Sequence, residues 1–185
     1  MELLVVITII IILAALIIGT VGYVQKKAAR SRAETEIAGM SAACESYKAD
    51  NGAYPNSGDT YNLDARSPSA GDPSGYQKAS LYLYESLYGI NSASRSATPA
   101  PSSKSYFTFK PNMLLPPPPS TADVTAIRDP FGNSYGYSTA ANPDAVPSGS
   151  LFTPGKGYNP TFDLWSTGGG TTNSAADTAQ WIKNW

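Results

Sequence analysis

Few side chains in this 185-residue chain could do chemistry. Histidine is absent, which removes Ser-His-Asp and Cys-His catalysis, imidazole-ligated zinc and a histidine pH switch. Cys44 is the one cysteine, so neither an intramolecular disulfide nor a cysteine metal cluster can form. Glu2 is the most unusual acid, because it stands immediately before an apolar run that meets no further charge until Lys26. A carboxylate beside such a run is costly and is read by default as functional; the alternative is a solvated position at the interface, and placement alone leaves both open. No two of the remaining acids fall in a recognisable general-acid/base motif, so a membrane-anchored enzyme such as a glycosidase is a poor reading. With 13 Lys+Arg against 14 Asp+Glu, the chain lacks the basic excess that direct nucleic-acid binding needs.

The elements that must position these groups begin with one long helix. From Leu3 to Ile18 the only polar residue is Thr8, and the uncharged stretch continues through Val24. About 20 apolar residues span a bilayer core, so residues 1–24 are expected to form a retained transmembrane helix rather than a shorter, cleavable signal. Residues 25–50 continue it. Ala29, Ala33, Ile37, Met40, Cys44 and Tyr47 recur at spacings of three and four, which is one face of a helix. Cys44 on that stripe reads as buried and inert. Asp50-Asn51-Gly52 is a stop signal, so a single helix from about Leu3 to Ala49 would be roughly 70 Å long. Lys26, Lys27, Arg30 and Arg32 follow the span, and by the positive-inside rule alone they would lie in the cytoplasm.

Residues 51–185 read as a loop-rich α+β head. Ala79–Tyr88 has helical spacing and ends at Gly89; its tyrosines read as packing groups in preference to a sugar-binding ladder. Asn91–Ser105 reads as mobile and open to O-glycosylation, Tyr106–Lys110 as a strand, and Pro116–Pro119 as a stiff spacer. Asp129-Pro130-Phe131-Gly132-Asn133 has turn chemistry and leads into a strand at Tyr135–Thr139, with another at Phe162–Ser166. The fold class expected is α+β: a long N-terminal helix packed on a small antiparallel sheet with long loops.

Glu2-Leu3-Leu4-Val5-Val6-Ile7, the apolar run, and the extension to Tyr47-Lys48-Ala49-Asp50-Asn51-Gly52-Ala53-Tyr54-Pro55 resemble the N-terminal half of the type IV pilin superfamily. Asp129–Tyr137, Phe162–Ser166 and the Ile182-Lys183-Asn184-Trp185 end are similar to blocks of the major pseudopilins of type II secretion systems. The resemblance implies a pilin-like fold and a non-enzymatic subunit that polymerises with copies of itself. It also implies minor pseudopilins or pilins, an inner-membrane assembly platform and prepilin peptidase as partners. The head would lie in the periplasm before assembly. A surface type IV pilus subunit, serving adhesion, motility or DNA uptake, is the alternative. Family precursors carry a basic leader and place their glutamate fifth in the mature chain, whereas here it is second; the leader and first mature residues are expected to be missing before Met1. The resemblance makes Glu2 the assembly residue, its carboxylate pairing with the N-terminal amine of a neighbouring subunit.

Major pseudopilins bind calcium in the C-terminal loop, which corresponds to Thr167–Ala179. Registered on the chain end, one family aspartate falls on Asp177, the other falls on Gly170, and Thr167 would supply a carbonyl. Calcium takes six to eight oxygens with carboxylates supplying charge, so a site left with Asp177 alone would be weak or absent. The competing reading is a Gly-rich loop held by the packing of Trp165, Trp181 and Trp185.

Overall fold

The computed structural model describes residues 2–90, 101–120, 122–147 and 152–185, with the backbone alone for Glu2 and residues 14–21. Most of the Asn91–Ser105 stretch therefore lies outside the described residues. The architecture is α+β. Helix α1 spans Glu2–Asn51, followed by α2 (Gly58–Tyr61), α3 (Gln77–Tyr88), β1 (Leu114–Leu115), β2 (Ala126–Ile127), β3 (Gly136–Ser138), β4 (Asp163–Ser166), α4 (Ala175–Thr178) and β5 (Ile182–Lys183). Strands β1 and β2 form one antiparallel pair, and β3-β4-β5 form an antiparallel sheet in that order.

Helix α1 has two unlike halves. Its C-terminal half buries Ala33, Ile37, Met40, Ala43 and Cys44 against α3 and the three-stranded sheet. These are the stripe positions, with Ala43 added and Ala29 and Tyr47 only partly covered. Its N-terminal half has no such cover: the apolar side chains from Leu3 to Leu13 stand 47–74% exposed. Thr8 turns its hydroxyl onto the Leu4 carbonyl at 2.8 Å, the internal satisfaction that an apolar surrounding demands. Among the described residues no helix is long and apolar enough to cross a membrane. The expected span Leu3–Val24 includes residues 14–21, whose side chains lie outside the described set. The helix ends where Gly52, at φ 79°, returns its N–H to the Lys48 carbonyl at 2.8 Å.

Helix α3 lies across α1 and the sheet, burying Leu83, Tyr84 and Leu87. Tyr84 stacks on Tyr88 at 5.6 Å and meets Phe109 edge-on at 5.1 Å, so these rings pack the core. A satellite cluster gathers Ala65, Ala70, Tyr76, Trp165 and Trp181 on the far side of the sheet.

Three segments differ from the sequence expectation. Tyr106–Lys110 does not form a strand. Its Tyr106 and Phe107 N–H groups converge on the single Leu87 carbonyl at 2.7 and 3.1 Å. Its alternating rings pack on each other, Phe107 against Phe109 at 4.7 Å, so aromatic alternation arose from packing without a ladder. Pro116–Pro119 leads into a turn closed by Ser120 N–H on the Pro117 carbonyl at 3.3 Å, in place of a straight spacer. The Thr167–Ala179 loop contains α4, capped by the Ser174 hydroxyl accepting from Asp177 N–H at 3.2 Å.

Candidate functional site

The Asp129–Asn133 turn is built around a buried carboxylate. Asp129 Oδ1 accepts the N–H groups of Phe131 at 2.9 Å and Asn133 at 2.8 Å, an Asx-type closure favoured by the Asp-Pro-Phe-Gly-Asn chemistry. Its Oδ2 accepts from the Ser166 hydroxyl at 2.6 Å, joining the turn to β4. Burial pushes the Asp129 carboxyl above its ordinary range, with these hydrogen bonds opposing that shift. Ser166 Oγ in turn accepts the Gly168 N–H at 3.1 Å, so one carboxylate organises the turn, the strand end and the start of the C-terminal loop.

Asn133 completes the junction. Its Nδ2 donates to Thr167 Oγ1 at 3.1 Å and to the Gly170 carbonyl at 3.2 Å. The Thr167 hydroxyl donates to that same Gly170 carbonyl at 2.6 Å, and Gly170 N–H returns to the Thr167 carbonyl at 3.1 Å. Thr167 and Gly170 are thus tied by protein donors. Asp177 lies directly across from Gly170: a Cβ built on Gly170 would sit 3.0 Å from Asp177 Cγ. The Asp177 carboxylate accepts from the Thr172 hydroxyl.

Thr167, Gly170 and Asp177 therefore do meet around one loop. As a calcium cradle the set does not fit: it offers one carboxylate, the Thr167 carbonyl is engaged, and an amide N–H₂ points at the Gly170 oxygen. Among the described residues no group of three or more acidic, cysteine or histidine side chains converges on a point. Asn133 is the residue that sequence reasoning missed; it sits in a motif noted only for its turn.

The tryptophans support the loop from behind. Trp165 and Trp181 stack at 6.1 Å, and the Trp165 indole N–H donates to the Ala70 carbonyl at 3.1 Å. Trp185 stacks on Tyr158 at 4.5 Å. Asn184 lends its side chain to β4: its Oδ1 accepts the Leu164 N–H at 2.9 Å and its Nδ2 donates to the Phe162 carbonyl at 3.2 Å. Asp163 is buried beside it and accepts the N–H groups of Tyr158 and Asn159, each at 2.8 Å; burial raises its carboxyl as well.

The two tyrosines after the turn fasten the sheet to α1 and to the segment that follows it. Tyr135 OH donates to Glu36 Oε2 at 2.7 Å, and Tyr137 OH donates to the Pro55 carbonyl at 2.8 Å. Glu36 also accepts from Arg32 at 2.7 Å. Gly136 between the tyrosines faces Trp165 across the sheet, where a Cβ would fall 2.1 Å from the indole ring. Cys44 is fully buried and burial pushes its thiol up, which leaves it without thiolate reactivity. Glu2 opens α1, and its side chain lies outside the described residues.

No family model matches the chain, and no curated protein or solved structure does so either.

Proposed function

We propose that this chain is a structural, non-enzymatic subunit that polymerises through the N-terminal part of α1 into the pseudopilus of a type II secretion system. The observation that carries the reading is the division of α1. Its second half is consumed by the head's own core, while Leu3–Leu13 stand uncovered on the same 50-residue helix. Ten bare apolar side chains, interrupted only by Thr8, need either lipid or other copies of the same helix around them. Both surroundings are met in turn by a subunit stored in the inner membrane, with its head in the periplasm, and then drawn into a filament.

The pilin-like character of the fold rests on the motifs and on what they do in the head. The Asp129–Tyr137 block makes the turn, most of β3, the tie from Tyr135 to α1 and the tie from Tyr137 to Pro55 just after the helix. The Asn184-Trp185 end supplies a side-chain partner for β4. Glu2 is the assembly residue: buried among apolar helices its charge needs a partner, and the N-terminal amine of a neighbouring subunit would set the register between copies. Prepilin peptidase and an inner-membrane platform are the partners this reading requires.

Expression of Glu2→Ala in cells that assemble the wild-type filament tests the proposal. The expected outcome is a strong loss of sheared filament with the chain still retained in the membrane fraction. Unchanged filament yield would remove Glu2 from assembly.

A further inference from the structure

One open cleft of about 580 Å³ lies where α1 leaves its bare apolar half and meets the C-terminal loop. Its α1 wall is Tyr23, Lys26, Lys27 and Arg30; its opposite wall is Phe131, Gly168–Gly170, Asp177 and Gln180. Arg30 holds the two walls together by donating to the Gln180 carbonyl at 3.0 Å, and it also pairs with Glu34 at 3.3 Å. Among the described residues, Lys26 and Lys27 have no ion-pair partner and both are exposed. Asp177 is the one acid in the lining, and its carboxylate is engaged by Thr172. Lys26 and Lys27 therefore leave uncompensated positive charge on the helix side of the cleft.

We infer that this cleft binds the phosphate headgroup of an anionic phospholipid. The inference rests on the membrane reading of α1 and goes beyond it by assigning a ligand to the head. Three features of the cleft select a lipid over a free anion. First, it is continuous with exposed apolar helix: Val24 is 60% exposed and Lys26 follows two residues later, about 3 Å further along the axis. Second, Tyr23, 72% exposed, presents an amphipathic ring at the edge of the cleft, the ring type that settles at headgroup depth. Third, Lys26 and Arg30 share a helical face at i, i+4, and long cationic side chains lay their stems on apolar surface while the charge reaches phosphate. The head would thereby sit at a fixed height and rotation on an anionic leaflet, with its C-terminal loop against the headgroups.

The test uses the full chain in detergent micelles offered equimolar phosphatidylglycerol and phosphatidylcholine, with retained lipid read by native mass spectrometry. Wild type should retain phosphatidylglycerol preferentially. The K26Q/K27Q variant should lose roughly 25-fold of that preference at low salt, about fivefold for each lysine near a charged surface. K78Q, which removes one charge on α3 outside the cleft, should leave it unchanged. Preference kept by K26Q/K27Q overturns the inference. So does displacement of the lipid by inorganic phosphate at constant ionic strength, which would mark a site for the free ion. Lipid preference kept while K26Q/K27Q alone loses self-association would assign the cleft to a second copy, and would equally overturn it. An alkaline wash of membranes holding the chain separates the two levels. Release into the wash contradicts the membrane reading itself; retention with no lipid preference contradicts the inference alone.

Discussion

Tyr135 donates a 2.7 Å hydrogen bond to Glu36, joining the residue before β3 to α1 across 99 positions of sequence. Tyr135 is fully buried and Glu36 also accepts from Arg32, so the phenol closes a charged network at the edge of the core. The head is fixed on the helix at this point, and two residues further Tyr137 ties β3 to Pro55 just beyond the helix end. Tyr135→Phe keeps the ring and removes the bond. A hydrogen bond to a charged group is worth about 2 kcal/mol, so thermal unfolding of the full chain in detergent should move down by roughly 5 °C. A shift under a degree would mean that Arg32 and water satisfy Glu36 alone.

Gly136 lies between those tyrosines because the Trp165 indole occupies the space above it. Gly136→Ala puts a methyl 2.1 Å from that ring, and both the strand backbone and the buried indole would have to move. The expected cost is about 3 kcal/mol or more, read as rapid limited proteolysis of the head at a temperature where wild type resists. Resistance equal to wild type would show that the β3–β4 pairing is looser than its register implies.

The C-terminal loop gives a prediction of opposite signs. Wild type, tied by Asn133, should show no change in melting temperature on adding millimolar calcium. Gly170→Asp places a second carboxylate against Asp177, where the new Cβ starts 3.0 Å from Asp177 Cγ. Like-charge crowding should destabilise the metal-free protein, and calcium should restore it by neutralising the pair. Asn133→Ala should cost about 1 kcal/mol and open the loop to protease, because the Gly170 carbonyl keeps only the Thr167 hydroxyl. A calcium-dependent rise in wild type would contradict this account of the loop.

Two buried carboxyls set a pH signature. Asp129 and Asp163 are both raised in the folded chain, chiefly by burial. A carboxyl raised on folding binds its proton more tightly in the native state. Its favourable contribution is complete below the unfolded carboxylate range of about 3.9 and is lost as pH rises through the folded value. Asp50 and Asp72 are lowered by hydrogen bonds to Lys104 and Ser74, so their contributions run the other way and vanish as pH falls. Comparing Asp129→Asn with wild type isolates one buried group: melting temperature should fall less steeply in the variant as pH rises above the unfolded carboxylate range, at a lower value throughout. Parallel curves would show that Asp129 does not titrate with folding.

The long helix, its buried stripe and the α3 helix were legible because 3.6-residue periodicity is a local signal, and Gly52 and Gly89 both stand at the helix ends with positive φ. Strands β3 and β4 were legible from the blocks that resemble pseudopilins, more than from alternation; the one strand read from alternation, Tyr106–Lys110, has no ladder. Its rings are drawn to Leu87 and to each other, and no local pattern reveals that. The loop chemistry was half legible. Register on the chain end assigned Asp177 and Gly170 to the two aspartate positions of the family's calcium loop, and the structure sets them face to face. Asn133 was not, because its partners lie 34 and 37 residues away and an asparagine in a turn already has a local explanation.

The central claim is that the bare half of α1 is a polymerisation surface. Cryo-electron microscopy of sheared filaments, from cells expressing the full precursor with its assembly machinery, tests it most directly. The account predicts a helical filament whose core is α1, with Leu3–Leu13 packed between copies and Glu2 beside a neighbouring N-terminal amine. Recovery of the chain only as a dispersed membrane monomer, with no filament containing it, would contradict the claim.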